Sequence, residues 1–226
     1  MTDSGQEASL FSFGKNELQR VIDQLRAWGA THVDFSKDSF FFVEKQRREQ
    51  ALDDFATWLT DDENEEKNVG KAIAALSKSC SQNEAMNIGA GLNNAPKGRA
   101  KLRELLKAVE ADKNPTIEQR VEYARKTKDI LSEIGKEAKE KVKIPLERKW
   151  PVLTALLCYA SPNHFVHLKP SLIDNKSPLK NLFFPDISYE STKFVELYSA
   201  YLKRAVEIQK AMIKNNEVVN ESFPIP

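Results

Sequence analysis

Apolar side chains return every three or four positions through most of the chain, the spacing of helices that each bury one face. Leu18, Val21, Ile22, Leu25 and Trp28 form the first such stripe. Asn16 with Gln19 opens it and Gly29 stops it. A second helix is expected over about 44–60, with Ala51, Phe55 and Trp58 inward, and a third over 66–79. Ser81 and Glu84 form a capping box that opens a short helix to Ile88. Leu102, Leu105, Leu106 and Val109 predict a helix over about 99–112. Asn114 as cap and Pro115 at the first position then begin a long helix over about 115–142. Its seam, Ile117, Val121, Ala124, Lys128, Leu131, Gly135, Ala138 and Val142, alternates steps of four and three. Such a seam packs on neighbouring helices or on a partner helix. Pro151 opens a buried helix, Val152 to Ala160. A final helix starts at Ser188, with Phe194, Tyr198, Tyr201, Ala205, Ile208 and Met212 on one stripe.

Three places break this rhythm. Thr31–Phe35 and Phe40–Val43 flank the polar run Ser36–Ser39, and their aromatic and β-branched residues suggest a short hairpin. Phe40 can equally begin the following helix. Phe165–Leu168 reads as a short strand. Gly89-Ala-Gly-Leu-Asn-Asn-Ala-Pro-Lys-Gly98 reads as the clearest loop. The expected fold is mainly α: a multi-helix globular protein with at most one small β-hairpin or short strands. The expected division is a flexible leader 1–13, an acidic helical subdomain 14–88, the loop 89–98, a basic helical subdomain 99–214 and a flexible tail 215–226. The alternative is one domain over 14–214.

Composition supports a folded core, with 41% hydrophobic and 30% charged residues. The uncharged stretch from Trp150 to Phe165 holds two prolines and the pair Asn163-His164, so no membrane span is expected. MTDSGQEASL has neither a basic start nor an apolar signal core. With only two cysteines, Cys80 and Cys158, read as reduced thiols, a cytoplasmic setting is expected. The net charge of +1 conceals −8 over residues 1–66 and +9 over 67–226. That polarity can steer a partner or draw the two halves together.

Phosphate binding favours cations that no carboxylate neutralises, because affinity comes from counterion release. Arg99, Arg103 and Lys107 are four apart on one helix face, and Lys97 stands where a helix N-terminus can receive an anion. These four are the candidate nucleic-acid or anion-binding residues. A second stripe, Arg125, Lys128, Lys136, Lys139 and Lys143, runs beside Glu122, Asp129, Glu133, Glu137 and Glu140. It meets the condition less well.

Catalytic signatures are sparse. His164 and His167 would point to opposite faces of an extended segment, so no metal site is assigned. Glu147-Arg-Lys149 matches a Glu-x-Lys fragment of metal-dependent nucleases, but Glu65-Glu-Lys67 matches equally well. Gly89-Ala-Gly91 lacks the third glycine and the preceding strand of a dinucleotide loop, and no cofactor is expected.

The text Lys149-Trp-Pro-Val-Leu-Thr-Ala-Leu-Leu-Cys-Tyr-Ala-Ser-Pro-Asn-His-Phe-Val-His-Leu-Lys-Pro170 resembles a segment of a family of uncharacterised bacterial proteins. There, Trp-Pro opens an apolar helix, followed by Pro-x-His and Lys-Pro. The resemblance covers about a tenth of the chain. It implies a bacterial or phage setting and a shared local structure, and it carries no activity. His164, His167 and Lys169 follow this rigid buried element and are the catalytic candidates.

The leading expectation is a non-catalytic binding or adaptor protein, acting on a nucleic acid or protein partner through its basic helical face. One alternative is a metal-dependent hydrolase acting on phosphoesters. Another is a structural helical oligomer joined through the 115–142 helix.

Overall fold

The computed structural model describes residues 40–177, 180–181, 184, 187, 190 and 192–214. The leader, the first expected helix, most of the hairpin and the tail after Asn215 lie outside the described residues. Within them the protein is a multi-helix, mainly α fold without strands. We number the helices α1 (Phe40–Thr60), α2 (Glu65–Ser77), α3 (Gln82–Asn94), α4 (Pro96–Ala111), α5 (Ile117–Ala138), α6 (Trp150–Ala160), the single turn α7 (Pro170–Ile173) and α8 (Phe194–Lys214).

The apolar helix α6 is the centre of the assembly, with α1 to α5 packed around it. All residues from Trp150 to Leu157 are buried, which no amphipathic surface helix would allow. Pro151 sits in its first turn, where the missing N–H costs nothing. Burying each of its leucines contributes roughly 1.5–3 kcal/mol. Aromatic rings close both ends of the helix. Tyr159 stacks on Phe55 at 5.3 Å and Phe55 meets Trp58 edge-on at 5.3 Å. At the other end Trp150 meets Phe194 at 4.8 Å and Tyr201 at 6.0 Å, which fixes α8.

Several expectations are corrected. Phe40–Val43 is the first turn of α1, not a strand. The aromatic run continues into strong helix formers and takes their conformation, overriding its β propensity. Phe165–Leu168 is irregular and pairs with no strand. Its backbone is satisfied by side chains instead: Thr154 Oγ1 accepts from Leu168 N at 2.9 Å, and Cys158 and Tyr198 donate to the carbonyls of Phe165 and Val166. The long helix is capped by Thr116 rather than Asn114. Thr116 and Gln119 form a reciprocal capping box, which satisfies two donors at once. The last helix begins at Phe194, not Ser188.

Segment 89–98 is not a loop. Gly89 to Asn94 are the last turns of α3, and only Ala95 separates them from α4. Its glycines serve close packing. A Cβ on Gly91 would lie 2.7 Å from Ile134 Cγ2, and one on Gly98 would lie 2.6 Å from Ile134 Cγ1. The two glycines thus make the hollow that receives Ile134 of α5. One continuous core cluster contains residues from both sides of Ala95.

The α5 seam is spent inside this chain. Ala124, Leu131 and Ala138 are buried, joined by Thr127 and Ile134. The helix ends at Ala138, four residues short of expectation, because Lys139 adopts φ 49° and ψ −128°. A 3₁₀ turn, Lys139–Lys141, follows.

Candidate nucleic-acid interface

Of the four cations singled out in the sequence, Arg99, Arg103 and Lys107 are each answered by a carboxylate of the same chain. Arg99 is buried. Its Nε lies 2.8 Å from Glu65 Oε1, Nη2 donates to Glu65 Oε2 at 3.2 Å, and Nη1 donates to Leu92 O at 2.9 Å. Arg103 donates through Nε to Trp58 O at 2.7 Å and pairs with Asp62 at 2.5 Å. Lys107 reaches the same Asp62 oxygen. These pairs hold Asp62 below the usual carboxylate range, through the hydrogen bonds of Lys107 and then Arg103.

The helix N-terminus at Lys97 is likewise filled. Glu137 of α5 accepts from Lys97 N at 3.1 Å and from Gly98 N at 2.8 Å. It occupies the place expected for an external anion, where unsatisfied amides and the helix dipole favour negative charge. The premise that this stripe is uncompensated is therefore corrected. The run Asp61–Glu66 folds over α4 and neutralises it.

The second stripe reverses the expectation in the opposite direction. Its N-terminal part is paired, with Arg125 between Glu122 and Asp129. Its C-terminal part is not. Lys136, Lys139, Lys141, Lys143 and Arg148 are all exposed, and among the described residues none makes an ion pair. Glu137 is engaged by the α4 N-terminus and Glu133 by Lys101 at 2.7 Å, while Glu140 and Glu147 lie among the cations without pairing with them.

The strap carrying these cations, residues 139–149, is anchored from beneath. Lys143 N donates to Asn87 Oδ1 at 2.6 Å, and the Asn87 amide donates to Asn83 O at 2.9 Å. Leu146 is fully buried and Val142 packs against the core. The positive φ of Lys139 turns the chain out of α5 and across α3. Sequence reasoning missed Lys141, Arg148 and the anchor Asn87 because it extended α5 helically to residue 142.

The catalytic candidates His164, His167 and Lys169 all lie on the irregular segment after α6. Ser161 Oγ and His164 Nδ1 lie 2.8 Å apart, a local contact across one turn, and Ser161 is buried. Burial lowers the basicity of His164, with Arg120 adding to the effect. His167 and Lys169 are half-buried further along the same irregular segment. No group of three His, Cys, Asp or Glu residues able to hold a metal occurs among the described residues. Glu147-Arg-Lys149 lies at a 3₁₀ turn rather than on a strand. Burial pushes both thiols, Cys80 and Cys158, up to about 12, which suppresses the reactive thiolate. No described helix is long and apolar enough to cross a membrane. No protein-family model matches the chain, and neither a curated protein nor a solved structure matches it.

Proposed function

We propose that the protein is a non-catalytic binding protein that contacts nucleic-acid phosphates through the end of α5 and the strap that follows it, residues 136–148. The observation that carries this reading is the set Lys136, Lys139, Lys141, Lys143 and Arg148, exposed and without ion pairs among the described residues. Each can exchange a diffuse counterion for a phosphate, which is the source of affinity in such interfaces. The strap is also held against α3 by Asn87 and Leu146, so ordering it on binding costs little entropy. The Arg99 stripe is a poor contact surface by the same criterion, since its charge is already used within the chain.

Fluorescence anisotropy with a short labelled DNA duplex, titrated across salt concentrations, tests the reading. Wild-type affinity should fall with salt, each phosphate contact contributing roughly 0.9 to the log–log slope. Replacing Lys136, Lys139, Lys141 and Lys143 by alanine should weaken binding and flatten the slope by about 3–4. The control Lys71→Ala, an exposed cation on α2, should leave it unchanged. Absence of binding at low salt, or an unaltered slope in the fourfold variant, rejects the proposal.

A further inference from the structure

The outer face of α3 differs from those of its neighbours. Its 13 residues include a single charged side chain, Glu84. Glu84 is buried and folds back to accept from Ser81 N at 3.0 Å and from Ser81 Oγ at 2.8 Å. What remains outside is neutral: Gln82, Asn83, Met86, Asn93 and Asn94 are exposed and Ala90 is half-buried. By contrast α2 exposes Glu66, Lys67 and Lys71, and α4 exposes Lys97, Lys101 and Glu104. A surface helix ordinarily turns charged groups outward and apolar ones inward. Met86 breaks that rule at 67% exposure, the large hydrophobic side chain left in the open among the described residues.

Gln82, Met86, Ala90 and Asn93 follow one another at steps of four, four and three, so they form one stripe about 16 Å long. Gln82 and Asn93 make no side-chain hydrogen bond among the described residues. Asn83 gives its Oδ1 to Asn87 Nδ2 at 3.0 Å and keeps its own amide donors, while Asn94 donates to Ala90 O at 2.8 Å and keeps its Oδ1.

The cationic strap borders this stripe. Asn87 directly follows Met86, about 100° further round the helix, and accepts from Lys143 N at 2.6 Å. The turns Lys139–Lys141 and Leu146–Arg148 both lie against α3. A Cβ on Gly91 would lie 3.4 Å from Leu146 Cδ1 and 3.5 Å from Val142 Cγ2, so the strap rests closely on the helix. Cations without ion pairs and amides without partners therefore share one rigid support.

We propose that α3 reads base edges in the major groove of duplex DNA while the strap holds the flanking phosphates, an inference that rests on the strap reading above. The major groove admits an α-helix, and Asn and Gln amides pair bidentately with N6 and N7 of adenine. An apolar side chain such as Met86 packs on the thymine methyl group. The stripe thus favours A·T pairs. A protein partner would also accept a neutral face, but the exposed cations beside it favour a polyanion.

Selection of duplexes from a random-sequence pool by the immobilised full-length protein tests this, followed by anisotropy on the enriched duplex and on its scrambled counterpart. Wild type should enrich a short motif containing A·T pairs and bind it at least about tenfold more tightly than the scramble. Gln82→Ala, Met86→Ala and Asn93→Ala together should bind both duplexes equally with the salt slope unchanged, and Asn93→Ala alone should already reduce the preference. The fourfold strap variant should lose affinity for both duplexes and keep their ratio. No enriched sequence, or a preference that survives the triple substitution, overturns the proposal and leaves the strap reading standing. Absence of all DNA binding overturns both. Light scattering supplies the other contrary result: a concentration-dependent mass abolished by the triple substitution, without sequence preference, assigns the face to a second copy of the chain.

Discussion

Two runs of cations, Arg99–Arg103–Lys107 on α4 and Lys136–Lys139–Lys141–Lys143 at the end of α5, carry similar charge and have opposite fates. The first lies under the acidic run of α2 and its preceding turn, where Glu65 and Asp62 supply its counterions. The second leaves its helix at Lys139 and finds no partner among the described residues. Four-residue spacing reports which cations share a face. It does not report whether the neutralising charge comes from water or from another part of the chain. The first run belongs to the stability of the fold, and the second is available to a partner.

The largest expected effect breaks the first region. Arg99→Ala leaves the partly exposed Glu65 without its cation and the Leu92 carbonyl without its donor. Removing one member of a buried pair costs about 3–5 kcal/mol, and the partial exposure of Glu65 places this case near about 3 kcal/mol. Urea denaturation measures it. Each alanine in the strap, by contrast, should change stability by no more than about 0.5 kcal/mol. A similar loss from both regions would erase the distinction.

Gly98→Ala should rank next. Its new Cβ would meet Ile134 Cγ1 at 2.6 Å and the Ile134 Cα at 3.3 Å. The backbone atom cannot swing away, so overpacking of about 1–3 kcal/mol is expected. Ile134→Ala in the same background should cost less than it does alone, because the two changes share one contact. Strict additivity would show that the helices separate freely.

The fate of segment 89–98 shows what local signals can and cannot carry. The apolar periods located α3, α4, α5 and α6, although α3 runs six residues past its expected end and α5 stops four short, and the Ser81–Glu84 box was readable as a cap. The glycines misled, since flexibility and close packing use the same residue. Only the position of Ile134, more than thirty residues on, decides between them. The candidate site was legible to a similar depth. Lys136, Lys139 and Lys143 stand out as a stripe, but their advantage over Arg99 depends on where Asp61–Glu66 folds. Nothing near Lys143 in sequence points to Asn87, which holds its amide from 56 positions away.

Lys139→Gly separates stability from binding within the strap. Lys139 adopts φ 49° and ψ −128°, a conformation that disfavours side chains and suits glycine. Glycine should therefore stabilise the fold by about 1 kcal/mol. The same change deletes one exposed cation, so the salt slope for duplex DNA should fall by about 0.9. Parallel melting and anisotropy experiments check the opposite signs. Stability and affinity falling together would mean that the turn is held by the lysine side chain rather than merely tolerating it.

The smallest effect comes from acid. Lys107 and Arg103 keep the Asp62 carboxyl below its ordinary range in the folded chain. A carboxylate whose folded pKa is depressed stabilises the protein above its unfolded pKa, and that contribution fades as pH falls through the folded value. Asp62→Asn should therefore lower stability slightly near neutral pH and make no difference once the wild-type group is protonated. Since Asp62 is largely exposed, added salt should shrink the neutral-pH difference as well. Alanine variants of the strap lysines, which make no ion pair among the described residues, should shift stability equally at pH 3 and pH 7. Urea midpoints at the two pH values compare the regions directly. An Asp62→Asn difference that persists unchanged in acid would move the clasp's contribution from charge to packing and remove the electrostatic contrast between the two cationic runs.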